Sequence, residues 1–144
     1  MRFTLIPIFL FFLIFIKKYD IIFIENKESE RIGMNMKLWI DDVRPAPEGY
    51  EWARSVNEAK RLTLEWEDFY QRLAESRGWE FSIELIDIDH DAGDYANDGG
   101  DYIRLLDWLE ETGRNYPIRI HSQNVVGRMN MEAICRRNGW TIVK

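Results

Sequence analysis

Short apolar runs alternate with amphipathic segments along most of the chain. The apolar runs predict five β-strands, at residues 37–40, 50–53, 81–89, 117–122 and 140–144. The amphipathic segments predict three α-helices, at residues 55–75, 101–113 and 127–139. The run at 81–89 is nearly continuous, as expected for a strand that helices cover on both faces of the sheet. This alternation favours an α/β fold with a three-layer open parallel sheet.

Residues 1–35 differ in composition from the remaining 109 residues. They contain eight Ile and six Phe, whereas the rest of the chain contains nine Ile and two Phe. The apolar run 3–16 is shorter than the about 20 residues that a membrane-spanning helix needs. It also lacks a small-residue cleavage site of the kind that follows a signal peptide. We expect a non-native extension produced by an over-extended gene start, with a hydrophobic anchor and a signal peptide as the alternatives.

The domain then spans residues 36–144, and its overall charge and cysteine content limit the partners and the compartment. A net charge of −6 argues against general affinity for nucleic-acid backbones, so no binding of duplex DNA is expected. A nucleotide or an RNA end stays open as a partner. The single cysteine excludes an internal disulfide and fits the cytoplasm. No membrane location is expected unless residues 3–16 are a genuine anchor, and the sequence favours no oligomeric state.

Acidic residues and histidines lie at the ends of three of the predicted strands. They are Asp41 and Asp42 after the first strand, Asp89, His90 and Asp91 at the end of the third, and His121 and Ser122 at the end of the fourth. In open parallel sheets, ligands bind beyond the carboxyl ends of the strands, where the strand order reverses. Three clusters that are distant in sequence therefore fall at one edge of the predicted sheet. This coincidence is the strongest functional signal in the chain.

Carboxylates grouped at one sheet edge raise one another's pKa unless a cation neutralises them. Mg²⁺ or another divalent cation is the expected partner because Mg²⁺ takes hard oxygen ligands, and the candidate ligands are Asp41, Asp42 and Asp89. The alternative is that these aspartates only cap turns. An EF-hand loop starting at Asp87 fits less well, because Ala92 stands where that loop needs glycine.

His90 and His121 are the only histidines of the chain. One is a candidate general acid and the other a candidate general base in phosphoryl chemistry, since imidazole titrates near neutrality. The alternative for each is a satisfied core histidine. Arg44, Ser122 and Asn124 are candidate donors to phosphate oxygens. The alternatives are a turn for Asn124 and a solvated loop charge for Arg44.

Three motifs occur in order in residues 36–144: D-D-x-R-P, D-H-D-x-G and H-S-x-N. In them the chain resembles the cyclic-phosphate processing receiver-like domain. This is a branch of the receiver (CheY-like, flavodoxin-like) fold that is linked to RNA-repair and conflict systems of bacteria and phages. The resemblance implies an acidic pocket that handles a phosphate ester, such as an RNA 2′,3′-cyclic phosphate or a related cyclic nucleotide phosphate.

The resemblance also implies roles for single residues. Asp41 and Asp42 stand at the metal-binding acidic pair of receivers, Asp89 at the phosphoacceptor position and Ser122 at the hydroxyl after the fourth strand. The additions of this branch, which would make the site hydrolytic, are His90, Asp91, His121 and Asn124. The chain departs from the pattern in three ways: a missing or shortened first helix, no final helix before Lys144, and Val125 where proline is expected.

We therefore expect a metal-assisted hydrolase of the cyclic phosphodiesterase or phosphatase type, with Asp89, His90, Asp91 and His121 as its catalytic residues. Asp89 is open to two interpretations, a metal ligand or a covalent nucleophile. The alternative class is a non-catalytic receiver-like signalling or binding module that accepts a phosphoryl group on Asp89 or binds a nucleotide. A domain without any chemistry would leave the convergence of the three clusters unexplained.

Overall fold

In a computed structural model, residues 34–77 and 81–144 are described, and in this part of the chain four parallel strands form one sheet. The strands are β1 (Met34–Ile40), β2 (Glu51–Ala53), β3 (Phe81–Ile88) and β4 (Ile118–Ile120). Their order in the sheet is β2–β1–β3–β4. The helices are α1 (Val56–Arg77), α2 (Ile103–Glu111) and α3 (Val125–Asn138). The predicted open parallel α/β sheet of the receiver type is confirmed.

The predicted last strand, residues 140–144, is represented by a single β-bridge between Ile118 and Ile142. Two backbone hydrogen bonds flank the bridge, from the Ile118 N–H to Thr141 O at 2.9 Å and from the Val143 N–H to Ile118 O at 2.8 Å. The neighbouring strand β4 has only three residues, so it offers a short edge for pairing. The other element bounds agree with the predicted ones to within three residues.

The connection between β1 and β2 contains no helix, as the short spacing predicts. Parallel strands usually need a crossover of a dozen or more residues, and here residues 41–50 suffice. Pro45 and Pro47 lack the backbone N–H that a helix needs. Asp41 Oδ1 accepts the N–H groups of Val43 and Arg44 at 2.9 and 2.6 Å, which begins the loop as an Asx-type turn.

The two faces of the sheet differ in character. Leu38, Ile86 and Ile118 lie side by side on one face and are fully buried. Successive side chains of a strand point to opposite faces, so the next row, Trp39, Asp87 and Arg119, lies on the other face. Asp87 is 0% exposed. A buried charge therefore stands in the middle of this second face.

The carboxyl ends of β1, β3 and β4 meet at one edge of the sheet. β2 lies on one side of β1 and β3 on the other, so the strand order reverses between β1 and β3. The Asp89 N–H donates to Ile40 O at 2.9 Å, and the His121 N–H donates to Ile88 O at 3.0 Å. Ligands of open parallel sheets bind at such a switch point, which gives the predicted clusters a common location.

No helix within residues 34–77 and 81–144 combines the length and apolar character that crossing a membrane requires. The predicted extension, residues 1–35 with its apolar run 3–16, lies outside the described residues except for its last two. Met34 and Asn35 are the first two residues of β1 and pair with Phe81 and Ser82.

Candidate active site

Arg44 lies at the centre of a charged cluster at the carboxyl ends of β1 and β3. Its Nε is 2.5 Å from Asp41 Oδ2, and its Nη2 is 2.5 Å from Asp89 Oδ2. Its Nη1 is 3.5 Å from the carbonyl oxygen of His121. The guanidinium therefore links residues that follow three different strands, and two of its contacts are charge-assisted hydrogen bonds. We call Asp41, Arg44, Asp89 and His121 the switch-point cluster.

Asp41 is the most enclosed carboxylate of the switch-point cluster and is 1% exposed. Its Oδ1 accepts the Val43 and Arg44 N–H groups, and its Oδ2 lies between Arg44 Nε and His121 Nε2. Burial alone would raise the pKa of Asp41. The hydrogen bonds from the Arg44 and Val43 backbone, and then from the Arg44 and His121 side chains, hold that pKa below its ordinary value. Asp41 is thus an ionised acceptor at neutral pH.

The His121 imidazole lies between two buried carboxylates. Its Nδ1 is 2.6 Å from Asp87 Oδ1, and its Nε2 is 3.2 Å from Asp41 Oδ2. An ionised carboxylate only accepts hydrogen bonds, so Nδ1 carries a hydrogen. The ring also stacks on Trp39, with centroids 4.0 Å apart and planes 8° from parallel. These contacts fix the ring and direct Nε2 towards Asp41 Oδ2.

Asp87 supports this arrangement, and the sequence analysis did not include it among the site residues. Besides His121 it accepts hydrogen bonds from Arg119, through Nε at 2.7 Å and through Nη2. Burial alone would raise the pKa of Asp87, but the hydrogen bonds and charges of His121 and Arg119 keep it below its ordinary value. The sequence contains a sign of this pair. A carboxylate inside an apolar strand needs a partner, and Arg119 is a charged residue between the apolar residues Ile118 and Ile120 of another strand.

His90, Asp91 and Asn124 form a second cluster that joins the loop after β3 to the start of α3. His90 Nδ1 is 2.8 Å from Asp91 Oδ1, and Asn124 Nδ2 is 3.2 Å from both Asp91 oxygens. The hydrogen bond from His90, followed by that from Asn124, lowers the pKa of Asp91. Asn124 Oδ1 accepts the Gly127 N–H at 2.9 Å and so caps α3. The predicted residues of this cluster are brought together, separately from the switch-point cluster.

Ser122 and Asp42 lie beside the two clusters. Ser122 is 4% exposed, and its Oγ accepts the Asn124 N–H at 3.1 Å in a local turn. The Asp42 carboxylate lies against Gly93, where an added Cβ would be 2.1 Å from Asp42 Oδ2. Gly93 also has a φ of +49°, which glycine adopts most readily. The phosphate-binding role of Ser122 and the metal-binding role of Asp42 stay predictions.

Arg54 follows β2 at the same edge and is a further residue that the sequence analysis did not single out. Its guanidinium carbon is 4.9 Å from the Trp52 ring centroid and 4.7 Å from that of Tyr95. Its Nη2 donates to the Asp42 carbonyl oxygen at 2.9 Å. Cation–π contacts of this kind hold a guanidinium in place. Arg54 therefore fixes the loop after β1 relative to the loop after β3.

Among the described residues, Asp41, Asp89 and His121 offer metal-ligand atoms that lie within 4.8 Å of one another. Asp42, the third predicted ligand, is not in this group. The two Oδ2 atoms that would ligate a cation each lie 2.5 Å from an Arg44 nitrogen. Arg44 therefore already pairs with both carboxylates, and in this arrangement the residues do not fit a divalent ion.

Acidification is expected to lower the free energy of unfolding. The pKa values of Asp41 and Asp87 are depressed in the folded state, below the about 3.9 of an unfolded chain. The stability they contribute is therefore fully present above the unfolded pKa and is lost as the pH falls through the folded pKa. Urea unfolding at pH 7, 5 and 3, followed by tryptophan fluorescence, measures the loss. Asp87→Asn should show a shallower decline between pH 5 and 3, and an unchanged decline would contradict the assignment to Asp87.

Gly127→Ala is expected to destabilise the protein, although alanine favours a helix by about 1 kcal/mol. A Cβ at this position would lie 2.4 Å from two ring carbons of His90. Overpacking typically costs about 1–3 kcal/mol, so we expect a net loss of about 1 kcal/mol in urea unfolding. In a His90→Ala background the same substitution should become stabilising. A stabilising effect with His90 in place would contradict the close packing of ring and helix.

Comparison with known proteins gives one match. The profile of a family described as the cyclic-phosphate processing receiver domain matches residues 36–137. This range includes every residue of the switch-point cluster and of the cluster formed by His90, Asp91 and Asn124. No curated protein and no solved structure matches the chain.

Proposed function

The chain belongs to the cyclic-phosphate processing receiver domain family, and from this premise we propose that it is a phosphoesterase that opens a cyclic phosphate on an RNA end or a nucleotide. The observation that carries the proposal is the position of His121. Its ring is held by Asp87 and Trp39, and its Nε2 lies 3.2 Å from Asp41 Oδ2, the oxygen that also accepts Arg44 Nε. This is the orientation that a proton-transferring histidine needs at a phosphate site.

Opening of a 2′,3′-cyclic phosphate by water needs two proton transfers. The water oxygen forms a bond to phosphorus and gives its proton to a base, while the P–O bond to the 2′ or 3′ oxygen breaks and that oxygen gains a proton. His121 Nε2 is the proposed group for one of these transfers. The hydrogen on Nδ1 stays in its hydrogen bond to Asp87. The ring can therefore release and regain a proton at Nε2 without losing its orientation.

His90 is the proposed group for the second transfer. Its Nδ1 lies against Asp91, so the proton exchange would occur at Nε2. Asp91 contacts this ring as Asp87 contacts His121, and the Asn124 amide, which donates to Asp91 and caps α3, holds the Asp91 carboxylate. The two histidines follow neighbouring strands, β3 and β4, so both lie at the edge of the sheet where the strands end.

Arg44 is the proposed binding residue for the phosphate. Its side chain is 42% exposed, so an entering anion reaches the guanidinium from solvent. A planar guanidinium matches the geometry of a phosphodiester anion. The carboxylates around it and the net charge of −6 disfavour a long polyanion. These features support a small cyclic phosphate or an RNA end as the substrate.

The metal expectation is a separate question. Mg²⁺ or another divalent cation would supply a Lewis acid for the phosphoryl oxygens. Arg44 holds the cation position between Asp41 and Asp89, so none of the proton transfers above is assigned to a metal-bound group. The assay in Mg²⁺ and in EDTA tests whether the reaction needs a divalent ion.

The test is an assay of the full chain with an RNA oligonucleotide that ends in a 2′,3′-cyclic phosphate, in Mg²⁺ and in EDTA. A panel of smaller cyclic nucleotides is assayed in parallel. We expect conversion to a 2′- or 3′-monophosphate, separated from the substrate by its slower elution in anion exchange. No conversion of any member of the panel by folded protein would refute the phosphoesterase proposal.

A non-catalytic module that accepts a phosphoryl group is the second candidate, and the position of Asp89 favours it. Asp89 follows β3 at the switch point and its side chain is 16% exposed, whereas Asp41 and Asp87 are closed to solvent. Incubation with a small phosphodonor separates the two candidates. A stable adduct at Asp89, absent in Asp89→Asn and formed without turnover, would favour the signalling module.

A further inference from the structure

The position of Arg44 between two carboxylates leads to an inference about the cation of this site. We propose that Arg44 is the resident cation of the switch-point cluster, so that its guanidinium pairs with Asp41 and Asp89 in place of a metal, and a divalent ion and the guanidinium exclude each other. The proposal goes beyond the phosphoesterase function and does not depend on it, because it concerns the resting protein. It replaces the expected Mg²⁺ by a side chain of the same loop.

The oxygens of Asp41 and Asp89 already accept hydrogen bonds. Asp41 Oδ1 accepts two backbone N–H groups, and Asp41 Oδ2 accepts Arg44 Nε and faces His121 Nε2. Asp89 Oδ1 accepts the His90 N–H at 2.6 Å, and Asp89 Oδ2 accepts Arg44 Nη2 at 2.5 Å. All four oxygens therefore have donors. Mg²⁺ needs near-octahedral access to oxygen ligands at about 2.0–2.1 Å, which the guanidinium blocks.

Two hydrogen bonds hold the backbone of Arg44 in place. The Arg44 N–H donates to Asp41 Oδ1 at 2.6 Å, and the Arg44 carbonyl accepts Trp39 Nε1 at 2.9 Å. Pro45 follows immediately and restricts the chain. The fixed backbone sets the point from which the side chain reaches Asp41 and Asp89. The loop therefore presents the guanidinium to these two carboxylates.

The charges in the cluster also disfavour a second cation beside Arg44. Asp41 and Asp89 carry two negative charges and Arg44 carries one positive charge, so the three residues together keep a net charge of −1. A divalent ion added beside the guanidinium would place three positive charges among the same two carboxylates. Like charges at this distance repel strongly in a partly buried site. Arginine stays protonated at all working pH values, so the internal cation is present at every such pH.

The experiment is a Mn²⁺ titration, with free Mn²⁺ counted by electron paramagnetic resonance and no substrate present. Native protein is compared with Arg44→Gln, which is polar but shorter and uncharged, and with Arg44→Lys, which keeps the charge. Arg104→Gln is the matched control, because Arg104 is 67% exposed and pairs with Asp107 away from the cluster. We expect Arg44→Gln to bind Mn²⁺ at least about tenfold more tightly than native protein, since the net charge of the ligand set governs such affinities.

Arg44→Lys and Arg104→Gln should bind Mn²⁺ as weakly as native protein does. Saturable, tight binding to native protein, or no gain in Arg44→Gln, would overturn the proposal. If Arg44→Gln does not fold, the Mn²⁺ titrations of Arg44→Lys and native protein still test the proposal. Tight Mn²⁺ binding to either protein would contradict a site that the cationic side chain blocks. The titration measures Mn²⁺ binding and does not require enzymatic activity. A protein that opens no cyclic phosphate but still excludes Mn²⁺ would refute the proposed phosphoesterase function and leave this proposal in place.

Discussion

His121→Ala is expected to lower the rate of cyclic-phosphate opening by about 10²–10⁴-fold, the usual contribution of a positioned proton-transfer group. The substitution removes the nitrogen that lies 3.2 Å from Asp41 Oδ2, while Asp41 and Arg44 stay in place. Substrate binding through Arg44 should persist, so we expect the loss in kcat and little change in KM. Single-turnover assays on the RNA 2′,3′-cyclic phosphate across pH 5 to 9 measure it, and one limb of the pH profile should disappear.

Two comparisons keep this prediction specific. His121→Ala also removes the stack on Trp39, so near-ultraviolet circular dichroism must first show that the variant keeps a native fold. His90→Ala then removes the other histidine and should delete the opposite limb of the pH profile. A His121→Ala protein that is folded and retains more than about a tenth of the native kcat would exclude His121 as a proton-transfer group.

Asp87→Asn is expected to combine a loss of stability with a loss of activity. The amide keeps the size of the side chain but removes the charge that Arg119 and His121 contact. Hydrogen bonds to charged groups are worth about 1.5–3 kcal/mol, and Arg119 is 37% exposed, so water replaces part of this contact. We expect a loss of about 2 kcal/mol in the free energy of unfolding, measured by urea denaturation.

The activity loss has a separate cause. An asparagine that donates its amide hydrogen to Nδ1 stabilises the tautomer with the hydrogen on Nε2, and a neutral ring in that tautomer can neither accept nor readily release a proton at Nε2. We therefore expect kcat to fall by about 10²-fold or more. Asp94→Asn, an exposed aspartate on the short 3-10 helix after β3, is the matched control and should change neither quantity. Equal stability of Asp87→Asn and native protein would contradict the buried charge network.

The amino-acid pattern was sufficient to locate the clusters at one sheet edge, because strand ends can be read from apolar runs that stop at Asp41, Asp89 and His121. Their contacts are a different matter. Arg44 was predicted as a phosphate-binding residue, and its pairing with two carboxylates depends on the Asx-type turn that folds the side chain back. The D-x-x-R spacing contained that turn, but the guanidinium's second partner, Asp89, is 45 residues away.

The contacts of Asp87 and the length of the last strand also depend on features that the amino-acid pattern does not determine. Asp87 lies inside an apolar strand, and only the register of β3 against β4 places Arg119 beside it. Periodicity gives a strand and its faces but not the register between strands distant in sequence. The run WTIVK has the composition of a strand, yet the extent of its pairing depends on the three-residue length of β4, which composition does not set.

The stack of His121 on Trp39 makes the indole an optical sensor. A ring 4.0 Å away and nearly parallel exchanges electron density with the excited indole, and a protonated imidazole accepts an electron from it far better than a neutral one. The emission of this tryptophan therefore follows the protonation of the neighbouring histidine. A variant in which Trp39 alone is retained among the six tryptophans would register proton exchange and anion binding in real time, without a label on either partner.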